Sequence, residues 1–191
     1  MKKNFGFTLI EIVIVISIIA VIIPTIFAII YSIMREQVKI FTLTQVKREG
    51  DNALNIMTTL IRNSAVTVHS GPPTDNNVVC TKSTETWPLN STDPLYFQDR
   101  YGDWFSFIAV SDAQNQERYK ISSDSSGLND VDLTSFSNTN VQDFKISCQG
   151  TAENSPPLIS ISYVINQLSQ TNREEDIASL NYQTKVKLRM H

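Results

Sequence analysis

The chain has 191 residues, a formal net charge of −3 and 41% hydrophobic residues. This length suggests one folded domain plus an appendage rather than two full domains. Because the chain is mildly acidic and contains no run of Lys and Arg, we do not expect a nucleic-acid partner.

The first predicted element is an apolar helix near the N-terminus. Residues 12–34 carry no charged side chain, and about 20 mostly apolar residues are enough for an α-helix to cross a membrane. Lys2 and Lys3 supply a basic start, but the apolar run is too long for a cleaved secretory signal and no small-residue site follows it. A signal anchor fits the length. A signal anchor does not explain Gly6, which precedes an abrupt change of composition. It also does not explain Glu11, because a charge inside an apolar run is energetically unfavourable.

The helical pattern continues beyond this apolar run. Apolar or small residues recur every three or four positions at Leu43, Val46, Gly50, Leu54, Met57, Ile61 and Ala65. This spacing is one face of an α-helix. We therefore predict one long helix that ends near Val66. The alternative is a membrane span and a separate helix, joined by a hinge at Pro24 or Gly50.

The chain after residue 71 has the pattern of β-strands with long loops. Gly71-Pro72-Pro73 ends the helical part. Alternating, β-branched and aromatic segments predict strands at 78–81, 95–97, 105–110, 117–121, 141–148, 158–165 and 182–188. Segments rich in Ser, Asn and Asp predict loops at 122–130 and 135–140. The predicted fold class is α+β, with the long N-terminal helix packed on a β-rich head.

The sequence contains no pattern typical of an enzyme. It has no His-Glu-x-x-His, no Gly-x-Ser-x-Gly and no glycine-rich phosphate loop. Its two histidines, His69 and His191, are isolated, and the oxygen-bearing residues of 124–132 lack the spacing of an EF-hand. We predict that the protein is not an enzyme and has no cofactor and no metal site.

The N-terminus carries a family resemblance. It reads Lys2-Lys3-Asn4-Phe5-Gly6, then Phe7-Thr8-Leu9-Ile10-Glu11, then a long aliphatic run. This resembles the class III signal of type IV pilins and type II secretion pseudopilins. The resemblance implies that a prepilin peptidase cuts between Gly6 and Phe7 and then N-methylates Phe7. One departure is Pro24, because the family's helix-bending proline usually lies about one turn later.

The resemblance also implies an organisation and a function. Residues 1–6 would be a leader peptide, 7–34 a transmembrane and assembly helix, 35–70 the amphipathic half of that helix, and 71–191 an extracytoplasmic head built on an antiparallel sheet. The protein would be a single-pass inner-membrane protein with a cytoplasmic N-terminus, found after assembly in a surface pilus or a periplasmic pseudopilus.

Such a protein would be a structural, minor subunit of a type IV pilus or related pseudopilus. Its partners would be other pilins or pseudopilins, the prepilin peptidase, the inner-membrane assembly platform and membrane lipid. A weaker likeness over residues 45–65 and 185–189 gives a J-type minor pseudopilin of a type II secretion system as an alternative. A signal-anchored extracytoplasmic adhesin or enzyme is the alternative from another class.

Two further predictions depend on this topology. If the head lies outside the cytoplasm, Cys80 and Cys148 are predicted to form a disulfide, the alternative being two unrelated buried thiols. Glu11 stands four residues after Phe7, on the same helix face. It can pair with its own new amino terminus or with that of an adjacent subunit, and the family resemblance favours the second. The alternative is a carboxylate at the headgroup level that is satisfied by water.

Overall fold

The computed structural model describes residues 8–74, 77–82, 86–87, 94–127, 130–137, 139–151, 155–168 and 178–189. The chain divides into two units, Met1–Phe41 and Thr42–His191. The elements are α1 (Leu9–Ser64), β1 (Thr67–His69), β2 (Thr86–Trp87), β3 (Tyr96–Gln98), β4 (Trp104–Ser111), β5 (Tyr119–Ser125), β6 (Val131–Asp132), β7 (Thr139–Gln149), β8 (Leu158–Gln167) and β9 (Ser179–Lys187).

The second unit contains two antiparallel sheets. The first has the strand order β1-β3-β4-β5-β6, and the second has the order β2-β7-β8-β9. In the same unit, one face of α1 is buried at Val46, Gly50, Ala53, Met57 and Ile61. These positions are three or four residues apart, as the helical spacing predicts. The predicted α+β class, with a long N-terminal helix and antiparallel strands, is confirmed.

Alternation along the strands supplies the rest of the core. On β8, Ile159, Ile161, Tyr163 and Ile165 are buried while the residues between them are partly exposed. The first sheet contributes Phe97, which stacks on Phe105 with ring centroids 5.4 Å apart. Because successive side chains point to opposite faces, this alternation places one face of the second sheet in the core. In the first sheet Phe105 and Ser106 are both buried, as are Ile121 and Ser122, so part of its other face is covered as well.

The hinge alternative for the N-terminal helix is wrong. Helical structure continues through both Pro24 and Gly50, and α1 ends at Ser64, two residues before the predicted end. Pro24 has no N–H to donate to the carbonyl of Ala20, so the helix loses one bond there without ending.

The predicted strand at 78–81 is also wrong. Val78 makes only an isolated bridge with His69, and Cys80 has a φ of 62°, in the left-handed region. An extended strand cannot pass through that conformation.

The loop predicted at 122–130 is wrong in its first part, because β5 continues to Ser125. There the buried Ser122 donates its hydroxyl to Asp132 at 2.7 Å, which compensates for its poor strand propensity.

Three short strands, β1, β2 and β6, were not predicted. The longest of them has three residues. Such segments are too short for an alternating pattern to stand out. The last two residues of the loop predicted at 135–140 belong to β7, which begins at Thr139.

Candidate assembly surface and its support

The N-terminal end of α1 places Glu11 in the first helical turn. The backbone N–H groups of Glu11 and Ile12 donate to the Thr8 carbonyl at 3.1 and 3.4 Å. A carboxylate in this turn interacts favourably with the positive end of the helix dipole. Gly6 and Phe7 lie outside the described residues. The cleavage site, the N-methylation of Phe7 and the pairing of Glu11 with an amino terminus therefore stay predictions.

Within the first unit, residues 12–34 of α1 are apolar on all sides and exposed. Its most apolar window of 18 residues has a mean hydropathy of 3.1, and none of that window is buried. Leu9, Phe27 and Phe41 are 82%, 66% and 72% exposed. Burying apolar surface is favourable by about 25 cal/mol per Å². A helix that is hydrophobic all round is typical of a membrane span or of a core made of several helices. By length and composition, α1 can cross a membrane once.

Two of the hydroxyl groups in this apolar stretch are satisfied inside the helix. Ser17 donates its hydroxyl to the Val13 carbonyl and Thr25 donates to the Ile22 carbonyl, each at 2.7 Å. An unsatisfied polar group in hydrocarbon costs several kcal/mol, on the order of 2–7. Both side chains are therefore compatible with a lipid environment or with an apolar helix bundle.

In the second unit, two tyrosines hold α1 on the second sheet. Tyr163 donates its hydroxyl to the Gly50 carbonyl at 2.7 Å, and Tyr182 donates to the Lys47 carbonyl at 3.1 Å. Their rings stack with centroids 5.1 Å apart and planes 14° apart. Each hydroxyl uses the spare lone pair of a helix carbonyl, so the bonds add to the helix ladder without breaking it.

Gly50 permits this approach of helix and sheet. A Cβ atom on Gly50 would fall on the ring of Tyr182. The interpretation of Gly50 as a break point is therefore wrong, because the absent side chain makes room for the tyrosine. The sequence did indicate this close packing, because an isolated glycine on the apolar face of a regular helix often makes room for a neighbouring element.

Burial changes the acidity of both tyrosines. It raises the pKa of Tyr163, which is 1% exposed, above the ordinary value for a phenol. Burial, followed by the nearby charge of Asp51, raises the pKa of Tyr182 to about 12. Both effects disfavour the phenolate, so the two hydroxyls remain donors to the helix even at a pH where a free phenol begins to ionise.

A disulfide joins the segment after β1 to the second sheet. Cys80 and Cys148 are bonded, with Cα atoms 6.1 Å apart and 68 positions apart in sequence. Next to this bond, a Cβ atom on Gly150 would overlap the carbonyl of Lys82. The glycine therefore lets the segment at Cys80 lie directly on the end of β7.

His69 is a satisfied core residue. It is 3% exposed, its Nδ1 lies 2.7 Å from the Asn77 Oδ1, and its Nε2 lies 2.9 Å from the Thr67 hydroxyl. Since an amide oxygen only accepts, Nδ1 carries a proton, and in the neutral ring Nε2 then accepts from the Thr67 hydroxyl. This arrangement holds the end of β1 against the segment around Asn77.

Comparison with known proteins identifies the N-terminus. Residues 1–23 match the family model described as the prokaryotic N-terminal methylation motif. This match includes the predicted cleavage and methylation positions and the first part of the exposed helix, and it ends before the second unit begins. Neither a curated protein nor a solved structure matches the chain.

Proposed function

From the type IV pilin-like prepilin signal that residues 1–23 carry, we propose that this chain is a minor structural subunit of a type IV pilus or related pseudopilus. The match to the methylation motif is the observation that carries the proposal. Proteins with this motif are structural rather than enzymatic, and they associate with other pilins and with the prepilin peptidase.

In this proposal, the apolar stretch of α1 is the assembly element. It anchors the newly made protein in the membrane as a single span, and later packs among the same helices of other subunits. The support is the exposure of its apolar side chains together with the internal satisfaction of Ser17 and Thr25. Lipid and neighbouring helices both remove such a surface from water.

The topology and the remaining partners are part of the same proposal. The N-terminus lies in the cytoplasm and the β-rich head outside it, at the cell surface or in the periplasm. The inner-membrane assembly platform and membrane lipid are the further partners. The J-type pseudopilin alternative, which rests on the likeness of residues 45–65 and 185–189, stays a prediction.

The N-terminal residue of the protein isolated from the membranes of its own host tests the proposal. We expect the chain to start at Phe7 and to carry one methyl group on its amino nitrogen, as determined by N-terminal mass spectrometry. A chain that starts at Met1 would instead indicate a plain signal anchor, and the proposal would fail.

A matched pair of variants makes this test specific. Gly6→Val should accumulate as a precursor of slower gel mobility, because the peptidase requires a small residue before the cut. Gly6→Ala should still be cleaved. Equal processing of both variants would show that Gly6 is not the recognised residue.

A further inference from the structure

The last strand, β9, forms a long free edge of the second sheet. It lies at the end of the strand order β2-β7-β8-β9 and has nine residues. At the other sheet edges, β2 and β6 have only two residues each. β1 is flanked by a further segment, through the bridge of His69 with Val78 and the bond from the Val79 N–H to the Val68 carbonyl. In the part of the chain that the structure describes, β9 is therefore the longest open edge.

The hydrogen-bond register identifies which backbone groups point outwards. The Gln167 N–H donates to the Ala178 carbonyl at 2.8 Å, and the Leu188 N–H donates to the Pro157 carbonyl at 3.3 Å. The residues on the β9 side of these two bonds are Ala178 and Leu188, which flank the strand and have even numbers. The antiparallel register between them is unbroken. Hydrogen-bonded pairs alternate along such a ladder. The even-numbered residues of β9 therefore bond to β8.

The odd-numbered residues of β9 consequently direct their N–H and C=O groups away from the sheet. These residues are Ser179, Asn181, Gln183, Lys185 and Lys187. Among the described residues, none forms a backbone hydrogen bond with these outward groups. A row of donors and acceptors at this spacing is the template on which another strand can pair.

The side chains along this edge carry positive charge. The five odd-numbered residues are all exposed, and Lys185 and Lys187 are followed on the same face by the exposed Arg189. β9 contains no Asp or Glu. Within the described part of the chain, neither lysine forms a salt bridge. A strand paired with β9 would bring its Cβ atoms to roughly 5 Å from those of the opposite residues, and beside Lys185 and Lys187 carboxylates are favourable and cations are unfavourable.

We propose that the free edge of β9 is a docking site for an extended, acidic segment of a partner protein. The segment would add to the second sheet as a fifth strand, with its carboxylates beside Lys185 and Lys187. Backbone bonds would give affinity and the lysines would give selectivity. All residues of this surface belong to the second unit, so it would recruit a partner without using the membrane span.

Binding of short synthetic peptides to the full chain in detergent micelles tests the proposal. The probe is a fluorescent peptide in which Thr alternates with Glu, and the matched control replaces every Glu by Lys. We expect the Glu peptide to bind at least tenfold more tightly than the Lys peptide. The double variant Lys185→Glu/Lys187→Glu should reverse this preference. Equal binding of the two peptides to the unaltered protein would overturn the proposal.

A second peptide separates strand addition from simple charge attraction. N-methylation of two consecutive central residues blocks both edges of the peptide strand and leaves its charge unchanged. We expect this peptide to lose at least tenfold in affinity for the unaltered protein. Equal affinity would mean that charge alone attracts the peptide, and strand addition would be rejected.

A proline variant provides the same test from the side of the protein. Gln183→Pro removes an outward N–H, and an edge strand tolerates proline where its N–H faces solvent. We expect normal thermal unfolding but at least tenfold weaker binding of the Glu peptide. Thr184→Pro is the matched control, because it removes a bond to β8 and should lower the unfolding temperature. A folded Gln183→Pro variant with normal affinity would contradict the proposal.

Discussion

At the scale of single residues, Gly50 and the two tyrosines determine how closely α1 approaches the second sheet. A glycine inside a helix is normally unfavourable by about 0.5–1 kcal/mol relative to alanine. Here the ring of Tyr182 occupies the volume of the missing side chain, and Tyr163 donates to the carbonyl of the same glycine. Packing against the sheet therefore outweighs helix propensity at this position.

Gly50→Ala should lower the free energy of unfolding by about 1–3 kcal/mol, because the added methyl group overlaps the Tyr182 ring. Urea unfolding in detergent, followed by tryptophan fluorescence, measures the change. Gly127→Ala is the control, since a Cβ atom there meets nothing within 4 Å, and it should stay within about 0.5 kcal/mol. Adding Tyr182→Leu to Gly50→Ala should cost less than the sum of the two single changes. Strict additivity would contradict the packing explanation.

The tyrosines also predict how stability depends on pH. The folded-state pKa of Tyr182 is raised from 10.0 to about 12, and that of Tyr163 is raised further. Below pH 10 the phenols are protonated in both states, so their contribution to stability is constant. Between pH 10 and 12 the unfolded chain loses phenol protons first, so the free energy of unfolding should fall as pH rises. Urea unfolding across this range should show a smaller fall for Tyr182→Phe than for the unaltered protein. The same slope in both proteins would refute the assignment.

At the scale of secondary structure, the predictability of an element follows its length and its surroundings. β8 was predicted at 158–165 and is found at Leu158–Gln167, because one buried face imposes a clear alternation. The second half of β5 was predicted as a loop, because Ser122–Ser125 have loop-forming composition. Their strand conformation comes from pairing with β4 and β6, and sequence periodicity does not report such pairing.

The prediction at the scale of secondary structure concerns the disulfide that joins the segment after β1 to β7. The Cys80–Cys148 disulfide closes a loop with a sequence separation of 68. In the chain-entropy model it should stabilise the fold by roughly 4 kcal/mol. The double variant Cys80→Ser/Cys148→Ser should lose stability of this order in urea unfolding. Non-reducing mass spectrometry of the protein isolated from its own host should find no free thiol. Two free thiols would show that the bond is absent from the protein in its own compartment.

At the scale of the whole molecule, the chain has two notable surfaces, the exposed apolar part of α1 and the free edge of β9. The charge-free run at 12–34 predicted the exposed apolar part of α1, which the structure shows in the first unit. The methylation motif was also predictable, from its glycine, its aromatic residue and its single glutamate. The free edge of β9 was not predictable, because an edge is defined by the order of strands in space, which the sequence of a single strand does not report.

The prediction for the assembled molecule concerns Glu11. If its carboxylate pairs with the amino terminus of an adjacent subunit, Glu11→Ala should be cleaved and inserted normally but should enter filaments poorly. The reason is that an unpaired charge in an apolar environment is costly, so pairing favours the packing of the next helix. The amount of variant in sheared filaments, divided by its amount in membranes, measures this effect. Equal ratios for the variant and the unaltered protein would support a carboxylate satisfied by water at the headgroup level.

The position of the disulfide has a mechanical consequence for a protein that is pulled along its chain. Strands β2 to β6 all lie between Cys80 and Cys148 in the sequence. A tension applied between α1 and β9 therefore passes through the S–S bond and bypasses these strands. At about 3.4 Å per residue, roughly 230 Å of contour length stays locked while the bond is intact. β3, β4 and β5 therefore lie outside the covalent path of this load, even after the hydrogen bonds from Tyr163 and Tyr182 to α1 have broken.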